Sequence, residues 1–158
     1  MMRKCFAGLI ALVILCTGIS AGAASFSKSG AAIKVGSSMF RVGQTSTKWK
    51  STLGSYTRKK NEVSGSLSSY TYTFKAKGIK VSTLYSAKLK KEKIVSILMV
   101  GSSVATSGGL RVGNSRDKMA RLYGKKCTRN GNVYTYKSGG RHLKIKAINN
   151  RVYGIKIY

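Results

Sequence analysis

Apolar and polar residues alternate with a period of two along most of this chain, which is the pattern of half-buried strands. Tyr70, Tyr72 and Phe74 alternate with Thr71, Thr73 and Lys75, and Ile79, Val81 and Thr83 alternate with Lys80, Ser82 and Leu84. Ile94 to Val100 is nearly all apolar and predicts a buried strand. The same series follows later. Val133 to Lys137 carries Tyr134 and Tyr136, and Leu143, Ile145 and Ala147 alternate with Lys144 and Lys146. Tyr153, Ile155 and Ile157 then share one face, with Lys156 on the other. Ala32 to Val35 predicts one further short strand, and Asn149-Asn150 a two-residue hairpin turn, because Asn tolerates positive φ. Two polar stretches, Ser55 to Ser69 and Lys125 to Gly131, are expected to be loops.

One stretch breaks the alternation twice. Arg41-Val42-Gly43 opens a segment closed by Gly54, and Arg111-Val112-Gly113 opens one closed by Gly124, 70 residues later. Each predicts a short helix. Trp49 and Leu53 lie at i and i+4 in the first, and Met119, Leu122 and Tyr123 at i, i+3 and i+4 in the second. Ser115 is a candidate N-cap, as is Thr45 or Ser46 in the first copy. Asp117 sits in the first turn of the second helix, at the positive end of the helix dipole. Gly54 and Gly124 suit a left-handed position after a helix. The last strands also align, Lys93–Val100 with Arg151–Tyr158, but at an offset of 58, so the first half holds 12 extra residues.

The expected fold is therefore α+β. It has two tandem repeats, each a short helix packed on a three-stranded antiparallel meander, sharing a core or one continuous sheet. The boundaries read as residues 1–24, a leader; 25–104, the first repeat; and 105–158, the second. The Gly-polar-Ser/Thr turn, short helix, closing Gly, Tyr-x-Tyr strand and terminal Val/Ile strand resemble the tandem module of secreted beta-lactamase inhibitor proteins. They are also similar to small outer-membrane assembly lipoproteins of the SmpA/OmlA type. The resemblance spans roughly residues 33–158 and implies a non-catalytic exported module, either a protein inhibitor of an extracellular enzyme or an envelope assembly scaffold.

Charge changes the picture more than any motif. The chain has 30 Lys+Arg against 3 Asp+Glu, a formal net charge of +27. Arg3 and Lys4, the apolar run Phe6 to Cys16 and the small residues Ala21 to Ala24 read as a secretory leader cleaved near Ser25. The apolar run is short for a membrane span, so no transmembrane segment is expected in the mature chain, which is placed outside the cell or on a bacterial envelope. Removing Arg3 and Lys4 from the 30 basic residues leaves 28, and the net charge becomes +25. Cys5 and Cys16 leave with the leader, and Cys127, then alone, forms no intramolecular disulfide.

Such an excess attracts polyanions. The candidate binding residues are Arg58, Lys59 and Lys60; Lys88, Lys90, Lys91 and Lys93; Lys125, Lys126 and Arg129; and a sheet-face stripe of Lys144, Lys146 and Lys156. The clusters after the two helices occupy equivalent positions and are expected to lie near one another. The partner is expected to be an anionic cell-envelope polymer or an acidic protein, with peripheral contact to anionic membrane as a further option. The contrasting reading of these lysines is a solvated coat that keeps the protein soluble.

Catalysis finds little support. His142 is the one histidine, the three acids Glu62, Glu92 and Asp117 lie far apart, and no metal-ligand cluster or phosphate loop is present. No enzyme activity, cofactor or metal is expected. Tyr70, Tyr72, Tyr134 and Tyr136 beside lysines could stack bases, but on a meander they more often face the core.

Overall fold

The computed structural model describes residues 25–27, 30–61 and 65–158. The leader assigned to residues 1–24 and the acid at position 62 lie outside the described residues.

The fold is mostly β: half of the described residues are strand and 14% helix. Strands β1 (Ala32–Val35) and β2 (Ser38–Arg41) precede helix α1 (Lys48–Leu53). Strands β3 (Thr57–Asn61), β4 (Leu67–Phe74), β5 (Ile79–Ser86) and β6 (Lys91–Met99) follow. The second half runs β7 (Ala105–Thr106), α2 (Arg116–Tyr123), β8 (Thr128–Asn130), β9 (Val133–Ser138), β10 (Arg141–Ile148) and β11 (Arg151–Ile157). One antiparallel sheet of eight strands has the order β3-β4-β5-β6-β11-β10-β9-β8, and a small sheet has the order β2-β1-β7.

This overturns the expected α+β arrangement of a helix on each three-stranded meander. Each half supplies four strands, and all eight form a single sheet. The two missing strands are β3 and β8, which lie in the stretches expected to be loops. Their sequences, Thr-Arg-Lys-Lys-Asn and Thr-Arg-Asn, carry no apolar alternation because every residue but Asn61 is exposed. They are the two edges of the sheet, where charged residues also discourage pairing with another chain.

The repeated Arg-Val-Gly turn has a definite task. The halves join over only three residue pairs, from Met99↔Ile155 to Ile97↔Ile157, so the first residues of β6 and β11 lack a strand neighbour on the side facing the other half. Gly43 N–H donates to Ile94 O (2.7 Å) and Ile94 N–H to Gln44 O (3.0 Å). In the other half Gly113 N–H donates to Val152 O (2.7 Å) and Val152 N–H to Asn114 O (2.9 Å). Each turn thus satisfies backbone groups that would otherwise be buried without partners. Both glycines have φ near +90, a conformation that side-chain-bearing residues rarely adopt, and a Cβ at Gly43 would displace the Arg141 guanidinium, whose Nη2 lies 2.6 Å from that position.

Bulges fall at matching places as well, between Ser82 and Thr83 in one half and Lys146 and Ala147 in the other. The extra residues opposite them, Val95 and Tyr153, are exposed. Val152 takes the core position expected of Tyr153, because the bulge reverses the alternation there.

The core lies under one face of the large sheet. Tyr72, Phe74, Ile79, Val81, Ile97, Met99, Tyr134, Tyr136, Leu143, Ile145, Ile155 and Ile157 form that face and are buried in one cluster with Trp49, Leu53, Met119 and Tyr123 from the helices. Ile33 and Phe40 of the small sheet join the same cluster. Trp49 meets Tyr72 and Phe74 edge-on, with ring centroids 5.0 and 5.9 Å apart. The helix caps differ from expectation. Ser115 Oγ accepts from Lys118 N–H (3.2 Å), but the N-cap of α1 is Thr47, which makes no side-chain cap bond. Gly54 and Gly124 have positive φ with ψ near extended rather than left-handed, a region open only to glycine.

Candidate polyanion interface

Residues directly opposed across an antiparallel ladder share a face. One such row crosses the entire large sheet on the side away from the core: Thr57, Thr73, Lys80, Leu98, Lys156, Lys144, Thr135 and Thr128. Strand spacing makes it about 34 Å long. Helices and the small sheet cover the opposite face, so this face is open. Its rows also carry Lys59, Lys91, Lys93, Lys137 and Lys146, and all eight lysines are exposed. Thr71, Ser82 and Ser96 fill the row beside Lys59.

No carboxylate meets these lysines among the described residues. Glu92 is committed on the core side, and Asp117 belongs to α2. Lys144 and Lys156 stand directly opposite each other, a like-charge pair that is unfavourable alone. Each ammonium lies 5.4 Å from the centroid of the Tyr158 ring, which offsets part of the repulsion. The His142 ring stacks on Tyr158 at 5.0 Å, and their backbones exchange hydrogen bonds, so the histidine is a neighbour of this cationic cluster.

The other candidate residues disperse. Arg58 and Arg129 lie on the two outermost strands, at opposite edges of the sheet, which corrects the expectation that their clusters adjoin. The cause is topological: the halves meet through their last strands, which sends the first strand of each meander to the outside. Arg58 and Lys60 pair with Tyr72 and Tyr70 on the core side of β3. Arg58 stacks 3.9 Å from the Tyr70 ring, and Arg129 lies 5.3 Å from the Tyr134 ring while its Nε donates to Gly131 O (3.0 Å). These two arginines shield the edges of the core. Lys125 and Lys126 are exposed in the loop after α2, Lys88 and Lys90 lie in the β5–β6 turn, and Lys91 and Lys93 stand at that end of the open face, opposite Ser86 and Leu84. Tyr72, Tyr134 and Tyr136 are buried and present no ring to a base.

A second polar cluster is of a different kind. Glu92 on β6 accepts hydrogen bonds from Lys50 Nζ (2.7 Å), Tyr72 OH (2.8 Å) and Thr83 Oγ1 (2.6 Å). Lys50 Nζ also lies 4.6 Å from the Tyr72 ring and 5.3 Å from the Trp49 ring. Burial disfavours the carboxylate, but the bonds from Lys50, Thr83 and Tyr72 outweigh it and hold Glu92 below the usual carboxylate range. Burial likewise opposes the charge of Lys50, and Glu92 and Tyr72 more than restore it, so its pKa is raised. Four elements are tied at one carboxylate whose donors are all engaged, an arrangement that fastens α1 to the sheet. Cys127 is free and half-buried. Burial first, and the neighbouring Cys127 thiol second, push the Tyr136 phenol well up.

Among the described residues, no group of three His, Cys, Asp or Glu side chains could hold a metal, and no helix is long and apolar enough to cross a membrane. Compared with protein-family models, curated proteins and solved structures, the chain finds no match.

Sequence reasoning singled out Lys59, Lys91, Lys93, Lys144, Lys146 and Lys156 and missed Lys80 and Lys137. Lys80 was visible as the polar partner of Ile79 and Val81. Its place in line with Lys156 depends on the register between halves, which no local pattern encodes.

Proposed function

We propose that this is an exported, non-catalytic binding protein whose open sheet face holds an anionic polymer of the cell envelope. The observation that supports this most is the row through Lys80, Lys156 and Lys144, flanked by threonines and facing no carboxylate among the described residues. An extended polyanion laid across the strands meets ammonium groups and hydroxyls along the row. It also relieves the Lys144–Lys156 repulsion, which the Tyr158 ring offsets only in part. Binding by such contacts releases counterions and is steeply salt-dependent.

The test is titration of the protein with a poly(glycerol phosphate) chain at low and moderate salt. The proposal expects binding at low salt that weakens with a log–log slope of at least about three, roughly one for each lysine of the row. Absence of binding at low salt contradicts it. Salt-insensitive capture of an acidic protein from an envelope extract, without polymer binding, would assign the basic surface to that protein instead.

A further inference from the structure

The two halves close their final hairpins differently. The β10–β11 turn uses Asn149 and Asn150 at φ 46 and 61, residues that adopt this conformation readily. The β5–β6 turn spans residues 87–90 and places a lysine, Lys90, at φ 48. Its own bonds are long, Lys90 N–H donating to Ala87 O (3.4 Å) and Leu89 N–H to Ser86 Oγ (3.3 Å), while Ala87 N–H donates to Ser66 O (3.0 Å). At its tip Leu89 is 65% exposed, more than any other large apolar side chain among the described residues. Lys88, Lys90 and Lys91 surround it. Leu67 and Leu84, at the same end of the open face, are 39% and 36% exposed. The second half shows that the fold needs only two residues here. A longer turn with a protruding leucine and a lysine in a disfavoured conformation serves something other than folding.

We propose that the β5–β6 hairpin is a docking prong for an anionic lipid surface. Leu89 enters the boundary between headgroups and acyl chains, and Lys88, Lys90 and Lys91 remain with the anionic headgroups. A soluble polyanion would engage the lysines and leave Leu89 in water, so the leucine selects the bilayer. The prong lies outside the row through Lys80, Lys156 and Lys144, and either surface can fail without the other.

The test uses tryptophan probes in the full chain. The native Trp49 is buried and gives a constant background. L89W is compared with Y153W, since Tyr153 is 56% exposed at the bulge of the other half. Both variants carry the same leader, so its contribution cancels. With phosphatidylglycerol/phosphatidylcholine vesicles, L89W fluorescence shifts to the blue and is quenched by brominated acyl chains, and Y153W fluorescence is not. Leu89→Asp weakens vesicle co-sedimentation about tenfold, and K88Q/K90Q/K91Q weakens it about fivefold per lysine. Thermal melts check that each variant folds. Equal quenching of both probes, co-sedimentation without quenching at position 89, or no association at low salt overturns the proposal.

Discussion

The two halves of the sheet use the same backbone and fix their helices by different means. In the second half the means are local as well as tertiary, with Tyr123 against the Phe26 and Tyr136 rings and Arg116 N–H donating to Asn150 O (3.0 Å). Helix α2 has eight residues, a Ser115 cap and Asp117 in its first turn, and it packs through Met119 and Tyr123. In the first half they are tertiary. Helix α1 has six residues, no side-chain cap and no acid in its first turn. It is held by Trp49 against two aromatic rings and by Lys50 on Glu92. Thr83, buried and bonded to Glu92, stands beside the first-half bulge where Ala147 stands in the second. Both helices are too short to persist alone; an ion pair supports the uncapped one, and a side-chain cap adds to the tertiary hydrogen bonds of the other.

Trp49 gives the largest expected contrast. Trp49→Ala should cost about 4 kcal/mol, near the top of the range for core truncations, and Met119→Ala about 3 kcal/mol. Urea unfolding of the two variants measures both. Glu92→Gln comes next, at about 2 kcal/mol, because it leaves the Lys50 ammonium partly buried without its counter-charge. This pair also sets a pH dependence. Glu92 has a lowered pKa in the folded state, so its contribution is present above the unfolded value of 4.5 and is lost as pH falls through the folded value. The raised Lys50 contributes below 10.5 and loses its share above the folded value. The stability of Glu92→Gln relative to the parent should therefore improve on acidification below about pH 4.5.

The caps offer a smaller contrast. Ser115→Ala should cost about 1 kcal/mol, and Thr47→Ala less than about 0.5 kcal/mol, because only the serine makes a cap bond. Denaturant midpoints resolve the difference. The smallest effect has the opposite sign: Lys90→Asn should stabilise by up to about 1 kcal/mol by easing the positive φ. Comparable stabilisation from an asparagine at exposed Lys88 would show that charge, and not backbone conformation, is the cause.

What the sequence made legible follows the range of the interactions involved. The turn at Asn149–Asn150, the Ser115 cap and the alternation of Tyr70, Tyr72 and Phe74 depend on neighbours within a few residues, and their patterns predicted them. The edge strands β3 and β8 look like loops in the sequence because strands exposed on both faces have no apolar period to detect. The helices are conspicuous through their glycines and large apolar residues, but the architecture around them is half strand. The Glu92 cluster joins residues up to 42 apart in the chain, and a lone glutamate between lysines offered no sign of it. The lysine row is the extreme case. Each lysine was visible as a polar position in its strand, but their alignment arises from pairing β6 with β11.

That alignment is most directly tested by charge-matched substitution. K80Q/K144Q/K156Q and K118Q/K125Q/K126Q remove three positive charges each, the first from the open face and the second from α2 and its following loop. Their affinities for poly(glycerol phosphate) are measured across a salt series. The account predicts that the open-face variant loses at least about tenfold in affinity and about three in the log–log salt slope, and that the other variant stays within about threefold of the parent. Equal losses in the two variants would mean that the lysines act only as a general cationic coat, and would contradict it.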